Sequence, residues 1–179
     1  SLIPNGATGW GNEFGNGPLS IIVKDTTAPA GTPVTIWFSF VGSDSYFTNE
    51  FNAGNGALTW CYDGDYTCEP GYTAVTGPKS FTGPFTFTGS ITALVDSAIP
   101  FTFFANVNPG PALTIPSGTE GLIANAHFAV FDFTNGFDFA NFNQSGQTFL
   151  IGLTDGHFGG VGDDDHQDFM VLVSTAPVP

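Results

Sequence analysis

Arginine is absent from the 179 residues, and lysine occurs only as Lys24 and Lys79, against 16 aspartates and glutamates, for a formal net charge of −14. A chain so poor in cations has nothing with which to displace the counterions of a nucleic acid or to settle on an anionic membrane surface, so both partner classes are excluded. Its negative field instead favours cations and a wet exterior. No run of 18 apolar residues occurs, so no membrane-spanning helix is expected. Also missing is any stretch of ten or more positions with apolar residues at i, i+3, i+4 and i+7 that is free of glycine and proline. Helix is therefore expected to be nearly absent.

Catalytic signatures are lacking too. There is no Gly-x-Ser-x-Gly elbow and no phosphate-cradling glycine loop before a helix, and the chain is expected not to be an enzyme. A glycosidase pair of carboxylates is the outlying alternative, because the obvious acidic cluster is dense enough to be better explained by a cation. Cysteine is scarce: Cys61 and Cys68 are separated by the six residues Tyr-Asp-Gly-Asp-Tyr-Thr. In an acidic chain of exported character this reads as a small disulfide loop, the alternative being two buried free thiols. No second Cys or His pair at finger-like spacing accompanies them, which argues against zinc.

What is present is apolar and aromatic. Hydrophobic residues make up 41% of the chain and 20 residues are Phe, which separates it from disordered acidic sequences. The remaining polarity comes from Thr, Ser, Asn and Gly, a composition of secreted or surface β proteins. The chain opens on Ser1-Leu2-Ile3-Pro4 without Met, as a bacterial chain whose signal peptide has been removed would.

Residues 1–18, rich in Gly and Asn around Trp10 and Phe14, are expected to form an irregular arm. A single sandwich domain is expected over 19–174, followed by a proline-containing tail over 175–179. Strands are expected at Leu19 to Val23, Val34 to Val41, Phe85 to Val95, Phe101 to Asn106, Gly121 to Asn125, Ala126 to Phe133, Gln147 to Leu153 and Phe169 to Val173. The alternation is clearest in Phe85-Thr86-Phe87-Thr88 and onward, where apolar residues interleave with Thr and Ser. Positions 42–84 read as one long loop-rich excursion with a weak strand from Ala57 to Tyr62. The expected fold is all-β, an antiparallel sandwich or jelly roll with long Gly/Asn-rich loops.

The densest chemistry lies between two apolar runs near the C-terminus, where Gly152 to Val173 holds five aspartates and five glycines. Oxygen ligands on a glycine-opened loop suit Ca²⁺, which accepts six to eight oxygens in loose geometry. Asp155, Asp163, Asp165 and Asp168 form the candidate ligand set, with Asp164 facing solvent; the alternative is a solvated acidic loop. His157 and His166 beside these acids read as surface groups, and His127 as a core histidine. Asp63 and Asp65 form a second, weaker candidate cation pair, for which an ordinary acidic turn is the alternative. Trp10, Trp60 and Tyr66 are candidate platforms for stacking on sugar rings, unless they simply pack the core. Asn143-Gln144-Ser145 matches a glycosylation acceptor, a pattern frequent by chance.

The segment Phe149-Leu150-Ile151-Gly152-Leu153-Thr154-Asp155, followed by Gly159-Gly160-Val161-Gly162-Asp163-Asp164-Asp165-His166-Gln167-Asp168-Phe169-Met170-Val171, resembles a bacterial C-terminal domain of unknown function. That signature runs Gly-aromatic-Glu-Asp, a glycine-rich gap, then Asp-x-Asp-aromatic-Asn-Asp and an apolar pair. Its carriers are often exported PEP-CTERM proteins with a Val-Pro-Glu-Pro sorting tail, which Ala176-Pro177-Val178-Pro179 resembles up to the Glu. The resemblance covers about the last 60 residues. It implies a β-rich, Ca²⁺-binding surface domain with Asp155, Asp163, Asp165 and Asp168 at the acidic positions. This chain departs from the signature at Thr154, His166 and Gln167.

Two functions follow as expectations. One is an exported, calcium-stabilised structural protein of the cell surface or biofilm matrix that self-associates into filaments or layers. The other is a Ca²⁺-dependent lectin-like module for exopolysaccharide.

Overall fold

The structure is a computed structural model that describes residue 23 and residues 27–77, 84–105, 113–116, 127–132, 148–154 and 168–175. Among the described residues ten strands are laid out in chain order: β1 (Pro33–Gly42), β2 (Asn49–Ala53), β3 (Leu58–Tyr62), β4 (Thr73–Val75), β5 (Thr88–Leu94), β6 (Phe101–Ala105), β7 (Leu113–Pro116), β8 (His127–Asp132), β9 (Thr148–Thr154) and β10 (Phe169–Ser174). Among the described residues there is no helix, and hence none long and apolar enough to cross a membrane.

The strands form two five-stranded sheets, β5-β1-β10-β9-β8 and β4-β3-β2-β6-β7. Every pairing in the first is antiparallel; the second is mixed, because β4 joins β3 in parallel. The phenylalanines explain why the sheets stack. Phe38, Phe40 and Phe169 come from the first sheet and Phe51, Trp60, Phe101 and Phe103 from the second, all buried. Their rings meet across the interface: Phe38 to Phe51 at 5.7 Å, Phe40 to Trp60 at 6.4 Å and Phe103 to Phe169 at 5.7 Å between centroids. Tilted and edge-on contacts of this kind are the favoured aromatic geometries. The result is the expected all-β sandwich.

The excursion over 42–84 is where expectation and structure part. Besides β3, which matches the weak strand foreseen there, it supplies β2 and β4, and so builds three of the five strands of the second sheet. β2 reads Asn-Glu-Phe-Asn-Ala, with too much polarity to register as a strand, yet Asn49 and Glu50 are both buried. β2 and β3 form a hairpin across residues 54–57, where Gly54, Asn55 and Gly56 take φ of 65°, 53° and 96°. Glycine and asparagine tolerate that left-handed region. The Asn52 side chain accepts a bond from the Gly56 amide at 2.8 Å, closing the turn.

The other expected strands over 85–95, 101–106, 126–133, 147–153 and 169–173 match β5, β6, β8, β9 and β10 to within a few residues. β7 was not foreseen. The arm over 1–18, the candidate strand over 121–125 and the end of the tail lie outside the described residues, as does Leu19 to Val23 apart from Val23.

Candidate functional site

Of the four aspartates expected to hold Ca²⁺, Asp155, Asp163 and Asp165 lie outside the described residues, together with His157 and His166. Asp168 is described, and its backbone is pinned from both sides. Its amide donates to the Leu153 carbonyl at 2.9 Å, next to the Phe169–Leu153 pair that starts the β9–β10 ladder. Its carbonyl accepts from Ser43 Oγ at 2.5 Å and faces Asn49 Nδ2 at 3.5 Å. The acidic stretch therefore leaves β9 at Thr154 and re-enters at Asp168 with its two ends held side by side. Ser43 and Asn49 fix the returning end to the crossover between β1 and β2. Neither residue stood out in the sequence; the visible hint was Ser43-x-Ser45, whose hydroxyls accept the Ser45 and Phe47 amides and fold the crossover locally.

The cysteine pair is joined as its spacing implied, with the two sulfurs 2.11 Å apart and the Cα atoms 5.9 Å apart. Inside this loop a buried threonine organises the chain. Thr48 Oγ1 accepts from the amides of Gly64 at 3.1 Å and Tyr66 at 2.8 Å, and donates to the Tyr66 carbonyl at 2.5 Å. The Thr48 amide donates to Asp65 Oδ1 at 3.0 Å. Gly64 is required for the approach, since a Cβ there would lie 2.4 Å from the Phe47 carbonyl.

Asp65 thus serves as an internal acceptor for the loop, and Asp63 is exposed. Among the described residues no group of three or more His, Cys, Asp or Glu side chains is placed to hold a metal ion.

Thr48→Val keeps the shape of the side chain but leaves the two loop amides without their acceptor. The expected cost is about 1–2 kcal/mol, the usual penalty for orphaned donors. Urea unfolding measures it, and a change too small to resolve would show that the hydroxyl does not hold the loop.

The stacking candidates divide. Trp60 is 5% exposed and packs between Phe40 and Phe51, so it is a core residue, as the core-packing alternative expects, and offers no face to a sugar. Trp10 lies outside the described residues. Tyr66 is 43% exposed, and the structure adds Tyr46, 76% exposed and edge-on to Phe47 at 5.6 Å. These two tyrosines sit on the crossover and the disulfide loop that Thr48 ties together, at the end of the sandwich where Ser43 holds Asp168.

Burial creates one strained group. Glu50 on β2 is 1% exposed, and among the described residues its Oε2 has no hydrogen-bond partner. Its pKa is pushed up to about 7, first by desolvation and then by the nearby Glu69 carboxylate. Tyr72 is raised as well, chiefly by burial and also by Glu50 and Glu69, while a hydrogen bond from the Asn52 side chain works the other way.

No protein-family model matches the chain, and no curated protein matches it at a significant level.

Proposed function

We propose that this chain is an exported structural protein of the bacterial cell surface or extracellular matrix, a calcium-stabilised jelly-roll sandwich whose copies assemble edge to edge. The observation that carries the reading is β5. It closes one side of the first sheet, and among the described residues it pairs only with β1. Its sequence Thr-Gly-Ser-Ile-Thr-Ala-Leu contains no charge and no proline. Ile91 and Ala93 face the core while Thr88, Ser90, Thr92 and Leu94 are exposed.

Open strand edges recruit further strands unless lysine, proline or a bulge blocks them. This edge has none of these. In the same reading Ca²⁺ is held by Asp155, Asp163, Asp165 and Asp168, which clasp β9 to β10, and the resemblance to PEP-CTERM proteins supports the exported location.

Negative-stain imaging of the purified chain is expected to show filaments or layers in Ca²⁺ that shorten or vanish in chelator. Thr92→Lys, which puts a charge on the open edge, is expected to leave monomers. Discrete monomers of the unaltered chain under both conditions would sink the assembly reading.

The lectin-like alternative has its own observation in the exposed Tyr46 and Tyr66 rings. Binding to exopolysaccharide that disappears in Tyr46→Ala and Tyr66→Ala, with no assembly, would favour it.

A further inference from the structure

Glu50 and Phe51 are neighbours on β2, so their side chains lie on opposite faces of the second sheet. Phe51 enters the aromatic core. Glu50 is therefore on the outer face, paired across the strands with Cys61 on β3 and Phe104 on β6. Over that face runs the segment after Cys68, which brings Glu69 and Tyr72 within electrostatic reach of Glu50. Asn52, on the same face two residues along β2, hydrogen-bonds to Tyr72.

Two carboxylates and a phenol hydroxyl thus lie within electrostatic reach of one another on the chain around the Cys61–Cys68 bridge. The carboxylate oxygen Glu50 Oε2 is buried and has no partner among the described residues. No lysine or arginine occurs among the described residues to neutralise the pair.

A buried carboxylate oxygen without a donor is costly, and a second carboxylate nearby makes it more so. A proton relieves one oxygen only. A hard divalent ion relieves both groups at once and takes hydroxyl and water oxygens for its remaining positions. We propose that Glu50 and Glu69 form a divalent-cation site of the Ca²⁺ class between β2 and the disulfide loop, with the Tyr72 hydroxyl and water completing the coordination. Asp63 and Asp65 differ in kind, because the Asp65 carboxylate already has its donor and Asp63 is open to solvent. The proposal does not rest on the aspartates of 155–168.

Mn²⁺ added to the full chain serves as a local probe by NMR. Substoichiometric Mn²⁺ is expected to broaden the amide signals of Glu50, Cys61, Glu69 and Tyr72, and excess Ca²⁺ to restore them. Glu50→Gln is expected to abolish this broadening while leaving any at 155–168 unchanged. Should that variant fail to fold, Glu69→Gln, on the half-buried loop, is expected to weaken Mn²⁺ binding there by about tenfold or more, as loss of one charged ligand does.

A second readout is pH. In chelator the Glu50 carboxyl holds its proton up to about 7 in the folded chain, against 4.5 for the ordinary group. Folding stability should then fall as pH rises from 4.5 through 7, because the folded state binds the extra proton. Saturating Ca²⁺ competes with that proton and is expected to move the Glu50 midpoint down by about one unit or more, a tenfold competition. Absence of broadening at these four residues, the same broadening in Glu50→Gln, or a midpoint indifferent to Ca²⁺ would overturn the proposal and leave Glu50 as a protonated buried acid.

Discussion

Phe51→Ala is expected to cost about 3–5 kcal/mol, the range for emptying a packed aromatic site, and so to remove a large part of the stability of a domain of this size. Phe51 is 0% exposed and meets five other rings: Phe38 at 5.7 Å, Trp60 and Phe101 at 6.2 Å, Phe103 at 5.0 Å and Phe169 at 6.1 Å. Two of these belong to the first sheet and three to the second. The cavity would open at the junction between the sheets, where neither can collapse without moving the other. Phe104 lies one residue beyond Phe103 on the outer face and is only half-buried, so Phe104→Ala should cost much less. Urea unfolding of both variants provides the check, and equal losses would mean that the ring cluster is not what joins the sheets.

Replacing Cys61 and Cys68 together by alanine is the second large effect expected. Cross-linking residues seven apart in sequence restricts the unfolded chain by about 2.5 kcal/mol in the loop-entropy account. The loss should be accompanied by local loosening, since Thr48 then holds residues 64–66 with hydrogen bonds alone. Amide exchange at Gly64 and Tyr66 is expected to accelerate more than exchange in β10. A double variant as stable as the original would show that Thr48 alone suffices to close the loop.

The strands that could be read from the sequence are those whose own residues alternate. β5 interleaves Ile91 and Ala93 with Ser90 and Thr92, and β1 carries Ile36, Phe38 and Phe40 inward at every second position. β2 escaped because its pattern is not one of polarity. Asn49 and Glu50 are buried by what other segments lay over them, and that depends on tertiary contacts with Asp168 and Glu69. β4 has three residues and joins β3 in parallel, a pairing no local signal encodes.

The same reasoning applies to the sites. The disulfide was legible because the constraint is short and local. Core packing of Trp60 was one of two readings the sequence offered, and the exposure of Tyr46 was not legible, because a lone aromatic looks the same on either face until its strand has a register. Glu50 is the sharpest case. In sequence it is one acid among many, and only burial beside Glu69 gives it a chemistry of its own.

β10 occupies the centre of the first sheet, with β1 on one side and β9 on the other. Trp37 pairs with Ser174 and Phe40 with Val171, so one edge of β1 has to wait for a strand made more than a hundred residues later, while its other edge pairs with β5. Partners so far apart in sequence make folding slow, since the loop entropy is spent before the contact forms. An emerging chain can pair β1 with β5, but the other edge of β1, and the centre of the sheet, stay open until β10 has been made. A chain cut before Phe169 lacks the centre of the first sheet and is expected to remain unfolded and be consumed by proteases rather than persist as a partial domain.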